Sequence, residues 1–405
     1  MVTRPYGIAA LLVVGCGGLA SSNGGATSDG GSPDGPSSKI DSGSGDGSVI
    51  DGSSCDSAVC SSGESRCNCA CVDEQTDMMN CGLCGNVCPG GGTCTHGRCL
   101  VTLALGMTPV GIAVDTTRVY WTDLGVSVAR DPYSNPDSGS VMSVPLGGGT
   151  PTTLASGRNN PGQLVVDAVS AYWTENGNGT VISVPLGGGT LTTLASGRDG
   201  PTGITVDATS IYWTDEGSPV GGSVVMRVPL RGGAQMTLAL GPGTGGGVSD
   251  FIAVDATNIY WTNSGSLTSG GTVMSIPLGG GTPVTLASGQ DYPYGIAVDA
   301  TNVYWANSMG GTVMKIPRGG GTTTTLASGQ NGPYALVADA TSVYWTNGGG
   351  MGVGTVMKTP LGGGTLTTLA SGQSTPSFIA VNATSVCWTD ERGPDGGAVM
   401  QITPK

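Results

Sequence analysis

Short apolar runs alternate with polar, glycine-rich turns along residues 107–405, and this pattern predicts strands rather than helices. In one unit, GIAVD (295–299) is apolar almost throughout, as expected of a strand buried on both faces, whereas NVYWAN (302–307) alternates between two faces. GTVMKIP (311–317) and TTTTLASG (322–329) follow as two more strands. The unit therefore predicts four antiparallel strands, which together make one propeller blade.

The unit recurs with a nearly constant period. Its tryptophans are separated by 52, 40, 48, 44, 40 and 43 residues, and they are Trp121, Trp173, Trp213, Trp261, Trp305, Trp345 and Trp388. A propeller blade has a period of about 40–45 residues. Seven tryptophans therefore predict seven blades.

The two ends of the repeat predict how the ring closes. The last unit stops after its third strand, at Lys405, whereas LVTLALG (100–106) precedes the first unit and matches a fourth strand. We expect this strand to complete the last blade. The predicted fold class is all-β, a seven-bladed propeller over residues 100–405, preceded by a small disulfide-rich module and a disordered tether.

The repeated Tyr-Trp-Thr-Asp tetrad resembles the YWTD repeats of low-density-lipoprotein-receptor-type propellers, over three quarters of the chain. In that family the tetrad is structural, which implies a packing role for Tyr120, Trp121, Tyr172, Trp173, Tyr212, Trp213, Tyr260, Trp261, Tyr304, Trp305, Tyr344, Trp345 and Trp388. The chain departs from the family in having seven units instead of six and Cys387 in place of one tyrosine. Its fourth tetrad position also varies, with Glu175 in one unit and asparagine in three.

Residues 1–16 have the pattern of an export signal, with Arg4 before a short apolar run that ends in VVGC. This end resembles the lipobox of bacterial lipoproteins, which implies lipidation of Cys16 and anchoring at the outer membrane or cell surface. An ordinary signal peptide that happens to contain a cysteine is the alternative. Residues 17–54 are rich in Gly, Ser and Asp and predict a disordered tether. The Asp-Gly pairs at 46–47 and 51–52 lack the register of a calcium loop.

Residues 55–99 contain ten cysteines. An exported chain meets oxidising conditions, which favour disulfides over thiolates. The candidates are Cys55, Cys60, Cys67, Cys69, Cys71, Cys81, Cys84, Cys88, Cys94 and Cys99. Zinc is the alternative, since CNCAC and CGLC offer suitable spacings, but His96 is the chain's only histidine. Residues 80–99 resemble short modules of surface lipoproteins from myxobacteria-like organisms, a resemblance that implies no activity.

The formal charge of −13 argues against nucleic acid and anionic membrane surfaces as partners. We expect contact with a membrane only through a lipid anchor, and an unknown protein or glycan partner at the cell surface. No cofactor and no metal are predicted.

Sequence variation among the units concentrates on one face of the predicted ring. This upper face comprises the loops between second and third strands and the connections from each fourth strand to the next first strand. The binding candidates there are Arg130, Tyr133, Arg158, Asn159, Arg198, Asp199, Asp215, Glu216, Asp291, Tyr292, Tyr294, Tyr334, Asp390, Glu391 and Arg392. Tyrosine and arginine are residue types that supply binding energy at interfaces.

Signs of catalysis are weak in the sequence. It has no G-x-S-x-G elbow, no H-E-x-x-H motif and no P-loop, and Cys387 has no histidine partner within the repeats. We therefore expect a non-enzymatic scaffold that binds a protein or glycan. One alternative is a lyase, hydrolase or metal-dependent enzyme that uses the carboxylate pairs Asp215-Glu216 and Asp390-Glu391. A purely structural envelope component is the other.

Overall fold

A computed structural model describes residues 59–106, 108–125, 137–216, 224–240, 251–265, 270–349, 353–393 and 396–405, with the backbone alone at 392 and 393. The predicted signal peptide, Cys16, the tether at 17–54 and Cys55 lie outside these residues. In the described part, no helix is long and apolar enough to cross a membrane.

The described chain is built almost entirely of strands. The N-terminal module contains β1 (Ser65–Cys67), β2 (Ala70–Val72), a 3-10 turn (Pro89–Gly91) and β3 (Thr93–Thr95), and β4 (Arg98–Gly106) leads into the ring. Blade 1 comprises β5 (Pro109–Val114), β6 (Arg118–Asp123), β7 (Gly139–Pro145) and β8 (Thr152–Arg158). Blade 2 comprises β9 (Pro161–Val166), β10 (Ser170–Glu175), β11 (Thr180–Pro185) and β12 (Thr192–Ala195). Blade 3 comprises β13 (Pro201–Val206), β14 (Ser210–Asp215), β15 (Val224–Pro229) and β16 (Met236–Leu240).

The remaining blades follow the same order. Blade 4 comprises β17 (Phe251–Val254), β18 (Asn258–Asn263), β19 (Gly271–Pro277) and β20 (Val284–Gln290). Blade 5 comprises β21 (Pro293–Val298), β22 (Asn302–Asn307), β23 (Thr312–Pro317) and β24 (Thr324–Ala327). Blade 6 comprises β25 (Pro333–Ala338), β26 (Ser342–Asn347), β27 (Gly354–Pro360) and β28 (Thr367–Gln373). Blade 7 comprises β29 (Pro376–Val381), β30 (Val386–Gly393) and β31 (Gly396–Thr403), and it is completed by β4.

These sheets form a seven-bladed propeller, which confirms the predicted fold class. Within each blade the strands pair antiparallel in sequence order, and the first strands of neighbouring blades contact one another around the axis. Strand β4 pairs with β31 from Gly106 opposite Gly397 to Cys99 opposite Thr403, so the N-terminal strand and the C-terminal strand share one blade. Strand β3 adds a fifth strand to this sheet and joins the module to the ring.

The tetrad supplies the packing of each blade. All seven tryptophans are buried. The tyrosine hydroxyls donate to the aspartate of the turn between first and second strands, at 2.6–2.9 Å, in blades 1 to 6. In blade 7 the tyrosine position holds Cys387, a buried free thiol. Aromatic burial and a satisfied hydroxyl together fix the second strand in place.

In blades 1, 2, 4, 6 and 7 the threonine of the tetrad bonds its blade to the next, whereas blade 5 has Ala306 at this position. The threonine hydroxyl donates to a backbone carbonyl of the next first strand, as from Thr122 to Gly162 and, across the closure of the ring, from Thr389 to Val110. Thr174, Thr262 and Thr346 make the same contact. Neighbouring first strands come so close that a Cβ at Gly111 would lie 2.7 Å from the Gly162 oxygen. Glycine is therefore required there by space.

The module is held by disulfides. Cys60 is bonded to Cys71, Cys67 to Cys84, Cys81 to Cys94, and Cys88 to Cys99. Cys69 is disulfide-bonded as well. The module packs against the lower face of the ring, opposite the upper face, because Pro89 and Gly90 lie against Gly147 in the turn after β7.

Candidate functional site

Two of the candidate arginines on the upper face bridge neighbouring blades. Arg158, at the end of β8, lies 3.3 Å from the Glu175 carboxylate of blade 2. Arg198, after β12, donates from Nε at 2.8 Å to the Asp215 carboxylate of blade 3. Both carboxylates are fully buried, whereas the two arginine side chains are about one fifth exposed. We call such a contact, between the end of a fourth strand and the second strand of the next blade, a latch.

In these two latches the carboxylate also accepts a hydrogen bond from the tetrad tryptophan. Trp173 Nε1 donates to Glu175 at 3.1 Å, and Trp213 Nε1 donates to Asp215 at 2.8 Å. Burial raises the pKa of Asp215, and the hydrogen bonds and charge of Arg198 oppose that rise without cancelling it. The Asp215 carboxylate is therefore engaged within its latch and is not exposed at the opening of the ring.

Glutamine replaces arginine in three later latches. Gln290 Oε1 accepts from Trp305 Nε1 at 2.9 Å and from Asn307 Nδ2 at 3.1 Å. Gln330 accepts from Trp345 and Asn347 in the same way, and Gln373 accepts from Trp388. Each latch arginine thus pairs with an acid at the fourth tetrad position. Gln290 and Gln330 pair with an asparagine at that position, and Gln373 contacts the tetrad tryptophan. Sequence analysis missed these glutamines, although this matched change of both partners was visible in the repeat.

In blades 7 and 1, which meet where the ring closes, the acid at the fourth tetrad position accepts hydrogen bonds from backbone amides. Asp390 accepts from the amides of Ser374 and Thr375, at 2.8 and 2.6 Å. Asp123 accepts from the amides of Thr108 and Gly125. Two acids of the sequence-based enzyme hypothesis are thus engaged locally, Asp215 with Arg198 and Asp390 with two backbone amides.

An aromatic cluster lies on the first strands of blades 4 to 7. The ring centroids of Tyr294 and Tyr334 are 5.3 Å apart, and Phe251 lies 6.1 Å from Tyr294 and 5.6 Å from Tyr334. Phe378 meets Tyr334 edge-on at 5.9 Å. The phenylalanines are buried, whereas the two tyrosines are half-buried. The structure thus brings two predicted residues together and adds two phenylalanines that the sequence analysis assigned only to strands.

Tyr292 extends this cluster toward solvent. Its ring centroid is 6.5 Å from that of Tyr294, and its backbone has a positive φ of 56°, which is uncommon for a residue with a side chain. Asp291 beside it is exposed. The connection from blade 4 to blade 5 therefore presents a tyrosine and a carboxylate next to the aromatic cluster.

The other candidates are spread around the upper face. Asp199 is exposed, Glu216 and Glu391 are half-buried, and Asn159 donates its amide to Asn178 at 3.0 Å. Arg130, Tyr133 and the side chain of Arg392 lie outside the described residues. Among the described candidates of this face, Arg158 and Arg198 face buried acids, whereas Asp199 and Asp291 are exposed.

Groups of potential metal ligands occur in the module among the described residues. They are Cys81 with Cys88 and Cys99, and Cys67 with Glu74 and Cys84. All of these cysteines are in disulfides. Zinc and similar ions bind thiolate sulfur, which a disulfide does not provide.

Comparison with solved structures gives propellers. A streptogramin B lyase is 15% identical, covers 76% of this chain and 98% of its own, and has a TM-score of 0.59. A virginiamycin B lyase from Staphylococcus aureus is 14% identical with the same coverage and a TM-score of 0.58. A nidogen/laminin complex is 21% identical over 52% of this chain and 76% of its own, with a TM-score of 0.42. No protein-family model and no curated protein sequence matches.

This comparison contradicts the expectation that the protein is not an enzyme, because the two solved propellers that match it over three quarters of the chain are lyases. The expectation rested on missing sequence motifs, and an active site built from loops of several blades leaves no contiguous motif. At these identities the likeness itself establishes the fold, a β-propeller.

Proposed function

We propose that the propeller binds a carbohydrate-like ligand at the aromatic cluster on its upper face. The observation that supports this is the pair of half-buried tyrosines, Tyr294 and Tyr334, packed at 5.3 Å and backed by buried Phe251 and Phe378. Aromatic faces stack on flat apolar faces such as those of sugar rings, and nearby polar groups can bond hydroxyls. A rigid cluster of this kind loses little entropy on binding.

The charges around the cluster favour a neutral or cationic ligand. Asp291 is exposed beside Tyr292, and Asp199, Glu216 and Glu391 lie on the same face. An anionic sugar would meet repulsion from these carboxylates. We further propose, from the export signal and Cys16, that binding takes place at the cell surface.

A glycan array probed with the full chain tests this proposal, followed by calorimetric titration of the best neutral glycan. We expect Tyr294→Ala and Tyr334→Ala to weaken binding about tenfold or more, the usual effect of removing a central aromatic contact. The matched controls Tyr294→Phe and Tyr334→Phe keep the ring and should stay within about threefold of the native chain. Equal affinity of the alanine variants and the native chain would place the ligand elsewhere.

A lyase that acts on the ligand bound at this cluster is the second candidate, favoured by the similarity to the two lyase structures. Elimination needs a base close to the bound ligand, and the acids next to the cluster are the groups available, with Asp291 the nearest in sequence. The test is to incubate the chain with neutral glycans and with a streptogramin B, with Mg²⁺ or with chelator, and to follow formation of the new double bond. Unchanged substrates in every mixture would remove this candidate.

A further inference from the structure

The module carries an exposed apolar loop. Among the described residues, 13 large hydrophobic side chains are exposed, and four of them lie within ten residues, Met78, Met79, Leu83 and Val87, at 45–60% exposure. We propose that this loop, residues 78–88, inserts into the interfacial region of a lipid bilayer. Contiguous apolar side chains at the surface mark sites of protein or membrane contact, and the position of this loop in the chain favours a membrane.

The loop is rigid before it binds. The Cys88 amide donates to the Met78 carbonyl and the Cys81 amide to the Asn86 carbonyl, both at 2.8 Å, which close the loop on itself. Cys81, Cys84 and Cys88 anchor it through three separate disulfides. Its apolar side chains therefore remain at the surface because the cross-links prevent the loop from folding them inward. A fixed conformation also lowers the entropy cost of insertion.

A lipid surface is the proposed partner because of the position of the module along the sequence. The 58 residues that precede the described part enter the structure at the module, and their predicted lipid-attachment site, Cys16, is 43 residues before Val59. The module is thus the described part nearest to the anchor, and the anchor raises the effective concentration of bilayer around the loop.

The charges beside the loop favour zwitterionic lipid. Asp77 and Glu74 lie on one side, since the Met79 amide donates to Asp77 and the Gly82 amide to the Glu74 carbonyl. Arg66 and Arg98 come near the loop through the backbone, since Cys84 contacts the Arg66 carbonyl and Gly82 lies against Gly97, the residue before Arg98. Asp73 belongs to the same turn, since its carbonyl accepts from the Asp77 amide, so three acids stand beside two arginines. A neutral headgroup layer therefore meets no net repulsion at the loop.

Insertion of this loop would orient the whole propeller. The module packs on the lower face, against the turn that contains Gly147. The aromatic cluster of the proposed ligand site lies toward the opposite, upper face. The membrane contact would therefore turn the ligand site away from the bilayer, and it stands whether or not the ligand is a carbohydrate.

Vesicle flotation tests the proposal with the full chain carrying Cys16→Ser, so that no acyl group contributes. We expect this chain to float with phosphatidylcholine–phosphatidylethanolamine vesicles. Leu83→Asp with Val87→Asp should lower the partition coefficient at least tenfold. The matched control, Met309→Asp with Val353→Asp, changes two similarly exposed hydrophobic residues in upper-face loops of the ring and should float like the parent. Intact mass without reductant checks that every variant keeps its disulfides.

Three results would overturn the proposal: no flotation of the parent at any lipid concentration, equal flotation of the loop variant, or flotation confined to anionic vesicles. Sedimentation that shows a dimer abolished by the loop variant would assign the loop to a second copy instead. Ligand affinity of the loop variant is measured in parallel. It should equal that of the parent, so a failed membrane contact and a failed ligand site are distinguished.

Discussion

At the scale of single residues, the turns of the lower face depend on partly buried aspartates that accept several hydrogen bonds. In each of blades 1 to 6 an aspartate accepts from a tyrosine hydroxyl and from backbone amides of its own turn, as Asp207 does from Tyr212, Thr209 and Ser210. Burial raises the pKa of Tyr212 to about 12, and the bond to Asp207 adds to the rise. The tyrosine therefore stays neutral and remains a donor over the physiological range.

Asp339 gives this arrangement a measurable pH dependence. Burial opposes its ionisation, but Lys405 and the amides of Thr341 and Ser342 outweigh burial and lower its pKa to about 2. An unfolded aspartate has a pKa of about 3.9. The stabilisation is therefore present above pH 4 and is lost as the pH falls toward 2. We expect Asp339→Asn to reduce the free energy of unfolding by about 2 kcal/mol at pH 7.

Urea unfolding at pH 7 and at pH 2.5 measures this difference. The gap in unfolding free energy between native and variant should narrow at the lower pH, because at pH 2.5 the unfolded carboxylate is protonated and the folded one begins to be. Asp199→Asn, at an exposed position, is the control and should show no such gap. A gap of the same size at both pH values would mean that the charge of Asp339 contributes nothing.

At the scale of elements, the latches hold blades together by two chemistries. The sequences ASGRDGP (195–201) and ASGQNGP (327–333) occupy the same register, yet the first directs Arg198 to Asp215 and the second directs Gln330 to Asn347. An arginine beside an amide would leave a charge uncompensated, and so would a glutamine beside a buried carboxylate that lacks other donors. Asp390, opposite Gln373, has two backbone amides as donors. In the other four latches the two partners change together.

Exchanging one latch for the other tests this rule. Arg198→Gln alone leaves Asp215 buried without its guanidinium and should cost about 3 kcal/mol of unfolding free energy. Asp215→Asn alone should also destabilise. The double variant recreates the pair found at 330 and 347, so it should recover about 1.5 kcal/mol or more relative to the sum of the single effects. Chemical denaturation of all four chains gives the coupling, and additive losses would contradict the rule.

The blades could be predicted from the sequence, and their latches could not. Period and alternation act within one unit, so the strands around Trp305 follow from the unit alone. A latch joins the end of one unit to the middle of the next, and nothing in a single unit shows that Arg198 faces Asp215. The aromatic cluster was missed in part for the same reason. Phe251 and Phe378 belong to blades 4 and 7, and only the closed ring brings both against Tyr334.

At the scale of the whole molecule, the module and the ring are stabilised by different means. Apart from Gly92, the buried residues of the module between 59 and 97 are its own cysteines, Cys67, Cys81 and Cys88. The ring has a large apolar core, formed by three clusters of buried side chains that together include all seven tryptophans. A module with so little apolar burial depends on its cross-links.

Reduction should therefore unfold the module and leave the ring folded. All seven tryptophans lie in the ring, at or after Trp121, so their emission reports on the ring alone. With dithiothreitol and no denaturant we expect unchanged tryptophan emission, together with rapid proteolysis within residues 60–97. The oxidised chain is the control and should resist cleavage there. A red shift of the emission on reduction alone would show that the ring depends on the module.

The closure of the ring carries a weakness at a defined place. Gly106 pairs with Gly397 as Arg158 pairs with Gly139, so glycine stands where other blades have Arg or Gln. A Cβ there would lie 2.6 Å from the Asp123 carboxylate, and the buried Trp121 Nε1 has no hydrogen-bond partner. Among the described residues, no arginine or glutamine latch joins blades 7 and 1, and the side chains that do bridge them are Asn382 and Thr389, which donate to backbone carbonyls of blade 1. Local opening of the ring should therefore begin at the junction of blades 7 and 1. In a circular permutant with its chain ends at the junction of blades 1 and 2, the ring would instead close where Arg158 and Glu175 form an ion pair.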